Sequence, residues 1–253
     1  YAYSGGGVYM TGGTVSNCVI RDSYSNIGQG GGVYMAGGVL YRCTIVSNEL
    51  FSNAGGGGVW ASGAGALVSH CVIAYNRGTR DGYAGGAYVG GGARLRNCLV
   101  GWNSEAGWYA GGVYLAAAGS LVEGCTIVSN AMTRGAADGG GIYIAGGAVS
   151  NSIVYSNSAP TNPDYRTGGS GLAYSCATPL PAGIGNIADD PQFVNFAAGN
   201  CRLQRTSPSI NNGAPLAWMS GAIDLDGRVR VQSGGLDMGA YEVPAAGTVF
   251  VAH

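Results

Sequence analysis

The sequence contains no lysine. All 12 of its basic residues are arginines, 13 residues are acidic, and charged side chains make up only 10% of the 253 residues. Soluble domains usually carry roughly 25% charged residues. This shortage of charge excludes a polybasic nucleic-acid-binding surface and a lysine-based active site. Because the formal net charge is only −1, the chain lacks the self-repulsion of disordered chains and is expected to fold.

Long apolar runs and glycosylation signals are also missing. No apolar segment approaches the ~18 residues of a membrane-spanning helix, so no transmembrane segment is predicted. No Asn-x-Ser/Thr triplet occurs, and N-glycosylation is not expected. Glycine is abundant, with 49 residues beside 8 prolines, but the two together stay below the ~25–30% that is typical of low-complexity disorder.

A repeat of 25 to 29 residues organises the chain from about residue 5 to residue 157. Each unit opens on a glycine pair or triplet followed by an aliphatic and an aromatic residue, at 5–10, 30–35, 56–60, 85–89, 111–115 and 139–144. A second recurring residue lies ten or more positions after each of these starts. It is a cysteine in five units and a serine in the sixth: Cys18, Cys43, Cys71, Cys98, Cys125 and Ser152. Five residues further on lie Asn48, Asn76, Asn103, Asn130 and Asn157, with Ser23 in the first unit. A fixed period of this length is typical of solenoids.

The apolar pattern inside each unit alternates with a period of two over three to five residues, which indicates strands and not helices. In the first unit Val8 and Met10 share a face while Tyr9 takes the other, and the turn at Gly12 and Gly13 leads to a second strand. One unit cannot bury its apolar face alone, so successive units must stack. We therefore predict an all-β, right-handed parallel β-helix with three short strands per coil.

Stacking turns equivalent positions into columns. Three inward columns are predicted to form the core: Val8, Val33, Val59, Ala87, Val113 and Ile142; Val15, Leu40, Val68, Leu95, Val122 and Val149; and Ile20, Ile45, Ile73, Val100, Ile127 and Val154. Residues 1–157 are predicted to form six regular coils. Residues 158–253 lose the period and are predicted to form irregular C-terminal coils and a cap of the same solenoid, because terminal repeats of solenoids are atypical.

Two columns are predicted to point outward. One is aromatic and comprises Tyr9, Tyr34, Trp60, Tyr88, Tyr114 and Tyr143; the other comprises Val19, Thr44, Val72, Leu99, Thr126 and Ile153. Aromatic stacking between coils is one role for the first column. The other is a contact surface, because flat amphipathic rings suit sugars or another protein, and an exposed apolar strip of this size is typical of an interface.

The cysteine column leaves three interpretations open: reduced thiols that pack in the core, a disulfide between coils, or a metal site. Its spacing matches no zinc-ligand pattern. Cys176 and Cys201 lie outside the column and are the better candidates for a disulfide. The asparagine column is predicted to close a corner of each coil through hydrogen bonds to neighbouring coils, since asparagine tolerates the left-handed backbone conformation.

The carboxylates do not form an obvious catalytic group. The carboxylates of the repeat region occupy different positions within their repeats, so stacking does not bring them into one column: Asp22, Glu49, Asp81, Glu105, Glu123 and Asp138. The segment Asp224-Leu225-Asp226-Gly227 resembles the start of a calcium loop but lacks the later ligands. A turn or a salt bridge to Arg228 or Arg230 is the alternative for Asp224 and Asp226, and no cofactor other than this calcium is expected.

The glycine-initiated starts and the Ile/Val-x-x-Asn ends resemble the repeats of polymorphic outer-membrane proteins, the β-helical passenger regions of autotransporter adhesins. The later motifs Asp190-Pro191-Gln192-Phe193 and Gly239-Ala240-Tyr241-Glu242 are similar to the C-terminal part of secreted bacterial β-helix proteins of the pectate-lyase-like superfold. These resemblances imply a right-handed β-helix and an extracellular or cell-surface location.

Two functions are consistent with these observations. The first is a non-catalytic structural or adhesive β-helix whose aromatic and apolar side binds a glycan, a surface protein or copies of itself. The alternative is a polysaccharide lyase or glycoside hydrolase of pectate-lyase-like fold with its site in the C-terminal coils. Glycosidases need two carboxylates at a defined separation, and the sequence does not show such a pair.

Overall fold

The computed structural model consists of short parallel β-strands wound into a solenoid, with almost no helix. It describes residues 4–79, 82–134, 138–168, 171–232 and 234–244. Each regular coil contributes one strand to each of three parallel sheets, so the predicted all-β parallel β-helix is confirmed. Most coils also add a two-residue strand to a fourth, shorter sheet that the sequence did not predict.

The first sheet consists of Val8–Met10, Val33–Met35, Val59–Ser62, Ala87–Gly90, Val113–Leu115, Ile142–Ile144 and Tyr165–Thr167. The second consists of Thr14–Ser16, Gly38–Tyr41, Ala66–Ser69, Arg94–Arg96, Leu121–Glu123, Ala148–Ser150 and Leu172–Ala173. The third consists of Val19–Arg21, Thr44–Val46, Val72–Ala74, Leu99–Gly101, Thr126–Val128, Ile153–Tyr155 and Cys176–Ala177. The fourth consists of Tyr24–Ser25, Glu49–Leu50, Arg77–Gly78, Ser104–Glu105 and Ala131–Met132.

The coils turn at single residues in the left-handed backbone conformation. Between the second and third sheets these are Asn17, Arg42, His70, Asn97, Gly124, Asn151 and Tyr174. After the third sheet they are Asp22, Ser47, Tyr75, Trp102, Ser129 and Ser156. The left-handed residue at this second corner is thus the one before each column asparagine. We had expected the asparagines to take this conformation themselves, and that detail was wrong.

The three predicted inward columns form one continuous core. Strands pair in register from coil to coil, for example Val8 with Val33 and Ile20 with Ile45. Side chains of the inner coils are almost completely buried, whereas Val8 and Val15 in the first coil are half-buried. The columns continue into a seventh coil through Tyr165, Leu172 and Ala177. Burying each large aliphatic side chain stabilises the fold by about 1.5–3 kcal/mol.

The segment 187–232 and 234–243, called here the C-terminal flank, lies against the outer face of the third sheet. It contains the antiparallel strands Phe193–Asn195 and Asn200–Leu203 and the 3-10 helices Phe196–Ala198 and Ala217–Met219. Its apolar side chains share a second buried cluster with those of the sheet: Leu99, Val128, Ile153, Cys176, Phe193, Cys201, Leu203, Met238, Ala240 and Tyr241.

The flank buries the second outward column beyond the first coils. Val19, in the first coil, is 66% exposed, but Leu99 is 6% exposed and Ile153 only 1%. The prediction that this column forms an open apolar strip was therefore wrong beyond the first coils. The chain covers the strip with its own C-terminal part.

Candidate functional site

The aromatic column lies on the outer face of the first sheet, where the strand register places its six members in line. Ring centroids of Tyr9 and Tyr34 are 4.8 Å apart with planes 10° from parallel. Trp60 and Tyr88 stack at 3.6 Å and 5°. The stack continues from Tyr88 to Tyr114 and on to Tyr143, at 5.6 and 5.4 Å. Parallel strands lie ~4.8 Å apart, which is close to an aromatic stacking distance.

This stacking decides which part of each ring is available to a ligand. Tyr88 and Tyr114 each have a neighbouring ring stacked on both faces, so they present ring edges and not faces to a ligand. Tyr9 at the start of the column is 62% exposed, whereas Trp60 is only 8% exposed. A sugar ring can therefore stack on Tyr9 but not on Tyr88 or Tyr114. The stacking between coils that the sequence offered as one role of this column is thus present.

Two further tyrosines form a second layer beside the column. The Tyr83 ring lies 5.3 Å from that of Tyr109 and 5.0 Å from that of Tyr114, and the Tyr109 ring lies 5.3 Å from that of Tyr143. Sequence analysis missed both, although the segments Tyr83-Ala84-Gly85-Gly86 and Tyr109-Ala110-Gly111-Gly112 carry the same motif before consecutive repeat starts. That shared motif was the available signal.

The hydroxyls of Tyr88 and Tyr114 remain protonated at neutral pH. Burial, together with the neighbouring tyrosines, raises the pKa of Tyr114 to about 12. Burial likewise raises the pKa of Tyr88. These phenols therefore act as hydrogen-bond donors as well as acceptors.

Two arginines lie at the border of the aromatic cluster. Trp108, next to Tyr109, is 42% exposed and has the Arg134 guanidinium 4.5 Å from its ring centre. Arg166 follows Tyr143 in the column. Its Nη1 lies 2.9 Å from Oδ2 of Asp138. We use the name aromatic side for the six column residues together with Tyr83, Trp108 and Tyr109.

The asparagine column is a buried ladder of hydrogen bonds. The backbone N–H and the side-chain Nδ2 of Asn76 both donate to Oδ1 of Asn103, each at 2.9 Å, and Nδ2 also donates to the carbonyl of Ile45. The pattern repeats at Asn48, Asn103 and Asn130. At Asn157 the acceptor is a carboxylate oxygen of Asp164, a residue that the sequence did not single out. The ladder joins coils and leaves no amide for a ligand.

The column cysteines are free thiols that lie in line between the second and third sheets. Cys43, Cys71, Cys98 and Cys125 are buried, while Cys18 in the first coil is exposed. Ser152 and Ser175 continue the line, and each donates its hydroxyl to the carbonyl two residues earlier. Cys176 and Cys201 are also free thiols and not a disulfide; both lie in the cluster under the C-terminal flank.

The acidic residues of the flank hold its backbone in place. Asp224 accepts hydrogen bonds from the backbone N–H groups of Asp226, Arg228 and Glu242. Asp226 pairs with Arg202 at 2.6 Å and with Arg228 at 2.8 Å. Within the part of the chain that the structure describes, no group of three or more His, Cys, Asp or Glu side chains is placed to hold a metal ion.

A buried arginine of the flank contacts two further acidic residues, Glu242 and Asp237. Arg230 lies 3.3 Å from Glu242 and donates to the carbonyls of Gly239 and Asp237. Burial outweighs the lowering effect of Arg230 and, together with the nearby Asp237, raises the pKa of Glu242 to about 9. The Glu242 carboxyl is thus predominantly protonated at neutral pH, because desolvation outweighs the pairing with Arg230.

His70 joins the solenoid to the flank. Its Nε2 lies 2.8 Å from the carbonyl oxygen of Ile223 and its Nδ1 lies 2.7 Å from Oγ of Ser69. Burial lowers the pKa of His70, so the neutral ring donates from Nε2 and accepts from Ser69. These contacts give His70 a structural role.

Three of the repeat-region carboxylates are held by neighbouring groups of the protein. Glu123 pairs with Arg96 at 2.6 Å, and the buried Glu105 accepts a hydrogen bond from the backbone N–H of Gly107. Asp138 pairs with Arg166 at the border of the aromatic side, and Asp81 lies outside the described residues.

Comparison with known proteins agrees with the architecture. A family model described as a right-handed β-helix region matches residues 4–180. Searches of curated proteins and of solved structures give no significant match to the chain. No helix of the described part is long and apolar enough to cross a membrane.

Proposed function

Because the chain belongs to the right-handed β-helix family, we propose that it is a non-catalytic β-helix, secreted or displayed on a cell surface, whose aromatic side binds a glycan chain. The family includes both pectate-lyase-like enzymes and proteins without catalytic activity. The choice between them therefore depends on the chain's own side chains. The observation that carries the proposal is the concentration of nine aromatic residues on one side of the solenoid, six on the outer face of the first sheet and three beside them.

The chemistry of the aromatic side suits an extended glycan. A glycan presents hydroxyl groups and apolar C–H faces along its length. The phenol groups of Tyr88, Tyr114 and Tyr143, whose rings lie 5.6 and 5.4 Å apart in order along the column, can exchange hydrogen bonds with successive hydroxyls. Tyr9, and Trp108 at the border, keep exposed ring surface that can pack against the C–H faces of sugar rings.

The contacts of the acidic side chains favour this function over the enzymatic alternative. Asp224, Asp226 and Glu242 are held by backbone groups or arginines of the flank. Asp190 accepts a hydrogen bond from the backbone of Gln192. A lyase or hydrolase site needs carboxylates directed at a substrate, and these are directed at the protein.

Binding of soluble polysaccharides, measured by affinity electrophoresis and calorimetry, tests the proposal. Tyr88→Phe and Tyr114→Phe remove hydroxyls but preserve the ring stack. Each lost hydrogen bond is worth about 0.5–1.5 kcal/mol, so each substitution should weaken binding roughly 2- to 10-fold. The matched control is Tyr75→Phe, because Tyr75 is 59% exposed at a corner after the third sheet and should leave affinity unchanged.

Three results would contradict the proposal. The first is no binding across neutral, acidic and basic polysaccharides. The second is equal loss of affinity in the Tyr75 control. The third is catalysis, seen as an ultraviolet-absorbing unsaturated product from uronate polymers or as new reducing ends, and abolished by Asp190→Ala or Asp224→Ala. If sedimentation showed dimers that the Tyr88 and Tyr114 variants lose, the aromatic side would bind a second copy instead.

A further inference from the structure

We propose that neighbouring thiols of the cysteine column bind soft, two-coordinate metal cations such as copper(I). The column comprises Cys18, Cys43, Cys71, Cys98 and Cys125. Each of its members precedes a strand of the third sheet, and those strands pair in register, as in Val19 with Thr44 and Leu99 with Thr126. The thiols therefore stand one above another at the spacing of the strands.

The thiols share one orientation. Every column sulfur lies 3.1–3.5 Å from the carbonyl oxygen two residues before it. The backbone N–H of Cys71 points at the sulfur of Cys98 at 3.4 Å. Side chains with the same orientation on paired strands are related by the strand-to-strand translation, so adjacent sulfurs are separated by ~4.8 Å.

This spacing fits linear coordination. A metal–thiolate bond is ~2.3 Å long, so two such bonds in line with a cation between them span ~4.6 Å. Soft thiolate ligands select copper(I) among the available metals. A tetrahedral zinc site would need four convergent ligands, and the described His, Cys, Asp and Glu side chains supply no such group.

The surroundings bear on the charge of the bound state. The buried thiols pack among the aliphatic side chains of the core, where an uncompensated charge is unfavourable. Copper(I) between two thiolates carries one net negative charge, and the backbone N–H of Cys71, which points at the sulfur of Cys98 at 3.4 Å, partly compensates it. Binding releases two protons, one from each thiol, and no electron is transferred. Cys18 is exposed and offers the ion a route to the column.

The proposal requires two adjacent thiols for each ion, and variants that differ only in whether the remaining thiols are adjacent test it. Five thiols in line form two separate adjacent pairs, so the reduced protein should bind about two tight copper(I) ions per chain. Replacing Cys43 and Cys98 by serine leaves three thiols with no two adjacent. Replacing Cys18 and Cys43 by serine leaves the same number of thiols, but Cys71, Cys98 and Cys125 remain adjacent. Serine is a matched replacement because Ser152 and Ser175 already occupy this line.

The measurement is anaerobic competition for copper(I) against a coloured chelator, with all proteins carrying Cys176→Ser and Cys201→Ser to remove the thiols outside the column. We expect the Cys18/Cys43 variant to retain about one tight ion and the Cys43/Cys98 variant to lose tight binding by 100-fold or more. Far-UV circular dichroism identifies any variant that fails to fold, and in that case alanine replaces serine at the same positions in both variants. Equal uptake by the two folded variants, or no uptake by the parent protein, would overturn the proposal.

Discussion

Each buried amide of the asparagine column holds together three coils at once. Asn103, for example, accepts hydrogen bonds from Asn76 in one neighbouring coil and donates to Asn130 in the other. It also donates to the carbonyl of Ile73. Since Asn103 is 1% exposed, water cannot replace these partners. A single side chain therefore affects the stability of the stack far more than its size suggests.

Asn103→Ala should destabilise the protein by at least ~2 kcal/mol, because buried groups left without a partner cost about 1–3 kcal/mol each. The unpaired groups would be the backbone N–H and Nδ2 of Asn76 and the carbonyl of Ile73. Urea denaturation monitored by circular dichroism measures the change. Asn53→Ala is the control, because Asn53 is exposed and its removal should change stability by less than ~0.5 kcal/mol. Equal losses in the two variants would contradict the structural role of the ladder.

The contribution of Glu242 to the stability of the fold should fall as the pH rises from about 5 towards 9. The pKa of Glu242 is raised by burial to about 9 in the folded protein, against 4.5 for an ordinary glutamate. The folded state thus holds a proton that the unfolded state has lost in this range, and the stabilisation disappears as the pH passes the folded pKa. Burial also raises the pKa of Asp164 and of Asp237, which adds to the trend.

Melting temperatures measured across this pH range test the assignment to Glu242. Glu242→Gln keeps the side chain neutral and should flatten the decline, while Glu49→Gln, in the fourth sheet, should preserve it. A decline that is unchanged in the Glu242 variant would show that other groups are responsible.

The third sheet differs from the other elements because both of its faces are covered. Its inner face carries the Ile20 column into the core, and its outer face packs against the C-terminal flank. Backbone contacts support this packing: Ala240 N–H donates to Oγ1 of Thr126, and Gly239 N–H donates to the carbonyl of Asn151. The first sheet keeps its aromatic outer face uncovered over the described residues. The asymmetry between these sheets makes the aromatic side the available long surface.

Met238→Ala should loosen the flank without unwinding the solenoid. Met238 is completely buried in the cluster between flank and sheet, and such truncations cost about 2–5 kcal/mol. We expect faster proteolytic cleavage within 190–243, with the β-sheet circular dichroism of the coils retained. Val229→Ala is the control, since Val229 is 53% exposed. Cleavage at the rate of the unmodified protein would show that the flank is held by other contacts.

The whole molecule behaves as a stack in which each coil contacts mainly its neighbours. Such solenoids tolerate the gain or loss of complete repeats, because the remaining columns stay in register. Removal of residues 33–58 would join Gly32 to Val59 and bring Cys71 next to Cys18 and Asn76 next to Ser23. The flank cluster, which begins at Val72, would be preserved.

We expect the chain without residues 33–58 to fold, with an unchanged shape of the far-UV circular dichroism spectrum and a cooperative melt. Removal of residues 33–45 alone would place Val46, Ser47 and Asn48 at the positions of the first-sheet strand Val33–Met35 and should abolish folding. The two deletions together measure how strictly stability depends on complete coils. A folded half-coil deletion would contradict the in-register stacking.

The repeat by itself determined the strands, the columns and the right-handed parallel architecture, because the same residue types recur at equal phase and only vertical stacking buries them. It also located the six column aromatics, the thiols and the amides. Only the tertiary structure decided that Tyr88 and Tyr114 are stacked on both faces, that Asp164 ends the asparagine ladder and that the flank covers Leu99 and Ile153. These outcomes depend on contacts without a period, such as that between Thr126 and Ala240, which lie 114 residues apart. A local sequence pattern does not indicate which distant segment of the chain packs against it.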